Sequence, residues 1–332
     1  MGFLETLQRG APPLSTAISK KRDIMSEEPS SAQIPEAMPA TSSVAGEQEA
    51  DRTTSGARQF LGLFVVPLLV VVMCVSVFVL FGWVAYDRNS VGDYLDDLRD
   101  TRSIFSHRRK QAAYELSKIL SADPQALVAE PGASAELRRL FRTSEDLWVR
   151  RYLALVLGHT KDREAVPLLL EAVSGDDSQT QIYSLWALGA VADPVALPTL
   201  LEALGDADPG IRKTAAFALG GLNDAQAVEA LLIAVEDPVA DVRWNASLAL
   251  AQLGSPSAVP VLEQMVDRRL LAQVPEITPA QQEQVMIGAL GALASLPGSA
   301  NRDLVDRLAT DDPSLKVRQA AIEARRALDP QR

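Results

Sequence analysis

Few residues of this 332-residue chain are equipped for chemistry, and their spacing argues against most of it. There are two histidines, His107 and His159, and one cysteine, Cys74. Neither histidine is followed by a glutamate or joined by ligands at a metal-binding interval, so no metal site is expected. No Ser/His/Asp set and no glycine-rich phosphate loop stands in the chain. The acidic pairs Asp96-Asp97 and Asp176-Asp177 have the right type for general acid–base work, but they sit among polar neighbours and read as helix caps and solvated turns. What remains is a series of arginines at near-regular intervals: Arg109, Arg150, Arg212, Arg243 and Arg318, with Gln181 and Met286 in two of the places. Such a column is either a ladder of ion pairs or solvated ridge, or an anion-binding stripe.

The elements that carry those arginines repeat. Phrases of the form Val-Arg-x-x-Ala-x-x-x-Leu-Gly end at Gly158, Gly189, Gly220 and Ala251, each 31 residues after the last. A fixed period of this size means stacked helix pairs, none of which can bury its apolar face alone. A second phrase, Asp-x-x-Ala-Val-Pro, runs in phase from Asp162, Asp193, Asp224 and, with serine in first place, Ser255. Its first residue can cap a new helix, whose apolar side chains then recur at helical spacing, as in Val166, Leu169, Leu170 and Val173. The second helix of each pair carries small residues (Ala154, Ala187, Ala216, Ala218, Ala249) that allow close approach. Leu155, Trp186, Phe217 and Leu248 fill the space between, and Trp186 and Phe217 are read as core. The pattern extends back to Val91 and forward to Leu328, which makes about seven pairs. Gly291 and Glu323 occupy the bulky column in the last two and predict weaker packing there.

These phrases resemble the HEAT family, in particular the short HEAT-like repeats of the phycobilisome-lyase type, over roughly residues 91–328. The resemblance implies an all-α, right-handed α-solenoid. It also implies a ladder between a turn acid and the helix arginine, matched here by Asp146 and Arg150 and by Asp208 and Arg212, and continued by Arg318. Gln181, Met286 and Val239 break it. Some relatives are di-iron hydroxylases with repeated His-Glu pairs, which this chain lacks. The lyase relatives handle bilins on phycobiliproteins.

The period is interrupted twice, by about ten residues near 121–135 and about twelve near 267–281. Insertions in a solenoid go to loops on one face. The second mixes Arg268 and Arg269 with Leu270 and Leu271, and reads either as a helix lengthened by a turn before a proline-punctuated loop or as a binding loop.

Ahead of the repeats, 28 residues without charge lie between Arg58 and Asp87, ending near Trp83 and Tyr86. Length and interface aromatics predict one uncleaved transmembrane helix over residues 59–86. Residues 1–58, rich in Ser, Pro, Ala and Glu, read as a disordered tail. Lys20-Lys21-Arg22 favours keeping that tail in the cytosol and the solenoid outside a bacterial inner membrane. The same three residues also read as a translated ribosome-binding site, with Met25 the true start. Residues 59–332 hold 35 acidic and 26 basic residues, net −9, a poor surface for nucleic acid.

The reading is therefore a disordered tail (1–58), a membrane helix (59–86) and a HEAT-like solenoid (87–332). It is a membrane-anchored, non-catalytic scaffold without cofactor or metal that binds a protein partner. The alternatives are a lyase-like or chaperone-like factor and a packing subunit of a membrane complex. The expected contact residues are Arg151, Lys213, Arg243 and Trp244 on the second helices, and Arg268, Arg269, Leu270 and Leu271 in the insertion.

Overall fold

A computed structural model describes residues 66–86, 90–100, 106–175, 177–275, 277–296 and 302–328, all of their regular structure helical. The tail, with Met25 in it, lies outside the described residues. The chain divides between Tyr86 and Asp87 into two units.

The first unit contributes helix α1, Val66–Tyr86. Its described side chains, Leu68 to Leu80, are exposed. The expected membrane anchor is overturned here: among the described residues no helix is long and apolar enough to cross a membrane. Single-pass membrane localisation therefore does not stand.

The second unit is an all-α repeat solenoid of seven described helix pairs. They are α2 (Val91–Arg99) with α3 (Ser106–Ala122), α4 (Ala133–Thr143) with α5 (Leu147–His159), and α6 (Val166–Gly175) with α7 (Ser178–Val191). Next come α8 (Leu197–Ala203) with α9 (Pro209–Leu222), and α10 (Val228–Ala234) with α11 (Ala240–Gln252). In the sixth pair a one-turn helix α13 (Arg268–Leu271) stands between α12 (Val259–Met265) and α14 (Pro279–Ala294). The seventh is α15 (Arg302–Asp311) with α16 (Leu315–Leu328).

The middle pairs share a set of devices. The phrase acids Asp162, Asp193 and Asp224 accept an amide two residues on, at 3.0, 3.1 and 2.9 Å. They open a short 3₁₀ turn, and the first helix follows it. The phrase alanines Ala165, Ala196, Ala227 and Ala258 plug that turn into the core with no exposed surface. Second helices start at Asp146, Asp177 and Asp208, whose carboxylates accept amides of the first turn. Each satisfies a donor that the helix cannot. The chain leaves a second helix through a left-handed residue at Lys161, Ala192, Asn223 and Gly254, again 31 apart.

The second helices form the centre of the stack. Residues 152–158 of α5 and 182–189 of α7 are buried on every side. Trp186 is core; Phe217 is half-buried. Neighbouring second helices come so close that a Cβ on Gly158, Gly189 or Gly220 would lie 2.9, 2.5 or 2.9 Å from a backbone Cα of the next. Between α11 and α14 this contact thins. Gly288 and Gly291 face open space, and Glu323 is exposed.

Candidate interaction surface

A set of charged side chains holds one pair to the next. At three places the residue after an arginine-column position reaches an acid at the start of the following second helix: Lys110 to Asp146 (3.5 Å), Arg151 to Asp177 (2.6 Å) and Lys213 to Asp241 (3.1 Å). The column arginines do something else. A guanidinium nitrogen of Arg212, Arg243 and Arg318 donates to the carbonyl six residues earlier, at Asp206, Asp237 and Asp312 (2.9, 2.7 and 3.2 Å). Each thereby pins the turn inside its own pair. Arg212 also forks onto Asp237 of the next pair at 2.8 and 3.1 Å. That bond from Arg212, with the Val239 amide, outweighs burial and holds the Asp237 carboxyl below the usual carboxylate range.

The expected contact residues divide accordingly. Arg151 and Lys213, expected to be free on the surface, are bridges between pairs. Trp244, expected to lie open beside Arg243, is buried at 9% exposure. It takes the bridging position of α11, where Ile182 is also buried, because that position faces the neighbouring second helix. Arg243 is tied to the carbonyls of Asp237 and Pro238. The ladder residues are redistributed: Asp146 and Asp208 serve as caps, while the Arg150 guanidinium sits 5.4 Å over the Phe141 ring.

The insertion is packed rather than loose. Leu271 is 1% exposed. Arg268 forks onto Asp312 of the last pair with two bonds of 2.8 Å. Asp312 is buried, which by itself would push its carboxyl up. Arg268 and the Ser314 amide outweigh that and hold it below its usual range. In the place where Met286 interrupts the arginine column, Arg268 supplies the missing fork. Arg269 and Leu270 (42%) remain exposed.

Two surfaces stand out among the described residues. A cavity of about 300 Å³ between pairs two and three is lined by Phe141, Arg142, Arg150, Leu168, Glu171, Ala172 and Gly175. Its two guanidiniums and one carboxylate can hold a polar side chain or terminus. The sequence reading missed it because its residues belong to three helices and two repeats. The other surface is the outer side of the first helices. The 31-residue register puts Glu171, Glu202 and Ile233 at one position on α6, α8 and α10, and all three are exposed. Among the described residues no three His, Cys, Asp or Glu side chains gather to hold a metal ion. His107 is exposed, and His159 packs edge-on against Trp186 with centroids 4.9 Å apart, where burial lowers its pKa.

A family model for HEAT repeats matches residues 134–213 and 197–274. No curated protein matches the chain. Among solved structures, a chain of the CpcE–CpcF complex of phycocyanin lyase from Nostoc sp. is 19% identical. The alignment covers 72% of this chain and 94% of that one, at a TM-score of 0.49. Human deoxyhypusine hydroxylase is 20% identical over 73% of this chain and 96% of its own, at 0.31. A designed armadillo repeat protein in complex with the peptide (KR)4 is 17% identical over 71% and 98%, at 0.40. None of these likenesses bears on activity. The HEAT-repeat match thus spans residues 134–274, inside the helical solenoid.

Proposed function

We infer that this chain is a protein-interaction scaffold that holds a partner along the outer face of its first helices. The observation that carries the reading is the register. Glu171, Glu202 and Ile233 stand exposed at equivalent points of three successive pairs, while the charged side chains of the second helices are engaged in the stack. A row of side chains repeated at one spacing suits an extended or helical segment that touches several repeats at once. Arg269 and Leu270 of the insertion are candidate further contacts, being the members of the expected set that the fold leaves exposed.

The test is site-specific photocrosslinking in cells that express the full chain. A photoreactive residue at Glu202 or Ile233 is expected to trap the same protein. One at Arg325, exposed on the last helix, should trap none of it. Adducts of equal yield from all three positions, or none from Glu202 and Ile233, would overturn the assignment.

A further inference from the structure

The charge of the stack changes sign along its length. Residues 107–163 hold 11 lysines and arginines against 7 acids. Residues 164–267 hold 15 acids against three cations, Arg212, Lys213 and Arg243. All three of those cations are engaged inside the fold, on Asp237, on Asp241 and on turn carbonyls. The middle of the solenoid therefore shows solvent a field set by carboxylates.

The exposed acids of this stretch lie on the first helices and the turns beside them. Glu171, Glu202, Glu229 and Glu236 are all exposed. The same face carries apolar side chains that the fold leaves uncovered, Leu232 at 40% and Ile233 at 74% exposure. Both follow Glu229 on one short helix and precede Glu236 in the turn after it, so the apolar pair is flanked by negative charge. An acid-bordered apolar patch is complementary to a segment with apolar side chains between cations: the apolar contact supplies burial, and the charges supply steering and register.

We propose that the first-helix face of pairs three to five docks a lysine- and arginine-rich amphipathic segment of a protein partner. This rests on the scaffold reading and names the chemistry of its occupant. Leu232 and Ile233 take the segment's apolar side chains. Glu202, Glu229 and Glu236 take its cations.

The test titrates the full chain with a fluorescent peptide of about 14 residues, built from Lys and Leu in helical register, and with the same peptide carrying Glu for Lys. The Lys/Leu peptide is expected to bind and the Glu/Leu peptide not to. Charge reversal of Glu202, Glu229 and Glu236 to Lys should weaken binding roughly tenfold or more, and Ile233→Ser by about threefold. Reversal of Asp97, Asp303 and Asp311, exposed elsewhere, should change it less than about twofold, which separates a docking face from attraction to an acidic protein in general. Unchanged thermal melting of each variant confirms that the fold is intact. Equal weakening by the two triple reversals overturns the proposal, as does equal affinity for the two peptides. The failures of the two readings are separable by sequencing the segment crosslinked from Ile233. A basic segment supports the proposal. An acidic or uncharged one overturns it and leaves the scaffold standing. No adduct from either Ile233 or Glu202 overturns both.

Discussion

The second helices pack in two different ways within one stack. The second helices α5, α7 and α9 each present a glycine, Gly158, Gly189 and Gly220, to the backbone of the next one, and the approach leaves no room for a methyl group. At the joint from α11 to α14 the corresponding residue is Ala251, and on α14 Gly288 and Gly291 face open space. The sequence difference is one methyl group at the marker and the loss of a bulky side chain at Gly291. The structural difference is a continuous core against a looser seam. One joint further on, Arg268, brought by the inserted helix α13, fastens the sixth pair to the last through the buried Asp312.

The largest effect should come from adding a methyl group where the helices touch. Gly189→Ala would place a Cβ 2.5 Å from the Ala218 Cα, and backbone cannot move aside as a flexible side chain does. Helix propensity favours alanine by about 1 kcal/mol, but overpacking of this kind costs roughly 1–3 kcal/mol and here must exceed it. A net loss of about 1–2 kcal/mol is expected by urea unfolding. Gly291→Ala, with nothing in the way, should show no loss. Equal responses at the two sites would mean that the two regions do not differ in packing.

Next in size is the bridge from the sixth pair to the last. Arg268→Ala leaves the Asp312 carboxylate buried with only the Ser314 amide and the nearby Arg318 charge. Removing one partner of a buried pair costs up to about 3–5 kcal/mol. Arg268 is part-exposed, so solvent screening brings the expected loss to about 1–2 kcal/mol. Hydrogen exchange should localise the change to pairs six and seven. A double-mutant cycle with Asp312→Asn should show coupling, and additive losses would contradict the bridge.

The seam also shows what could be read from residue order. The 31-residue period, the start of α2 at Val91 and the weakness at Gly291 and Glu323 follow from spacing and side-chain size, because helical repeats fix which positions face one another. The ladder was displaced by one residue. An acid four positions before an arginine looks like an ion pair within a helix, yet Asp146 and Asp208 cap the helix start, and the cation that Asp146 takes is Lys110 of the pair before. The bridging cations are the next residues along, Arg151 and Lys213, and their partners Asp177 and Asp241 lie in the following repeat. Trp244 occupies that bridging column, which explains its burial. Nothing local in the sequence marks Arg268 as the partner of Asp312, 44 residues away, since the insertion breaks the period that would have aligned them. The apolar run before the repeats gives composition but not a membrane-crossing helix among the described residues.

A pH dependence should separate the two regions further. His159 lies in the close-packed part, against Trp186, and burial lowers its pKa below 6.5. The unfolded chain then binds a proton more readily than the fold does. The stabilising contribution is fully present above about pH 6.5 and is lost as pH falls toward the folded pKa. His159→Gln should flatten the stability profile just below pH 6.5, measured by urea unfolding at several pH values. Below about pH 4 a second loss is expected from Asp177, Asp237 and Asp312. All three are held below the usual carboxylate range in the fold, so their contribution is present above the unfolded pKa and disappears as they protonate. A profile of His159→Gln that matches the parent chain between pH 5 and 6.5 would remove His159 as the cause.

The smallest effect tests whether the close-packed pairs are strained at their links. Lys161, Ala192 and Asn223 each adopt the left-handed conformation at the link to the next pair, and at the last such position the chain uses Gly254. A side chain with a Cβ resists this conformation by about 1–2 kcal/mol, asparagine less than alanine. Ala192→Gly relieves that strain but gives the unfolded chain more freedom, so a net gain of about 0.5–1 kcal/mol is expected. Asn223→Gly should gain less, and Gly254→Ala should lose about as much as Ala192→Gly gains. If Gly254→Ala proves neutral while Ala192→Gly stabilises, the seam beside Gly254 adapts where the close-packed links cannot. That outcome would extend the difference between the two regions from packing to backbone freedom.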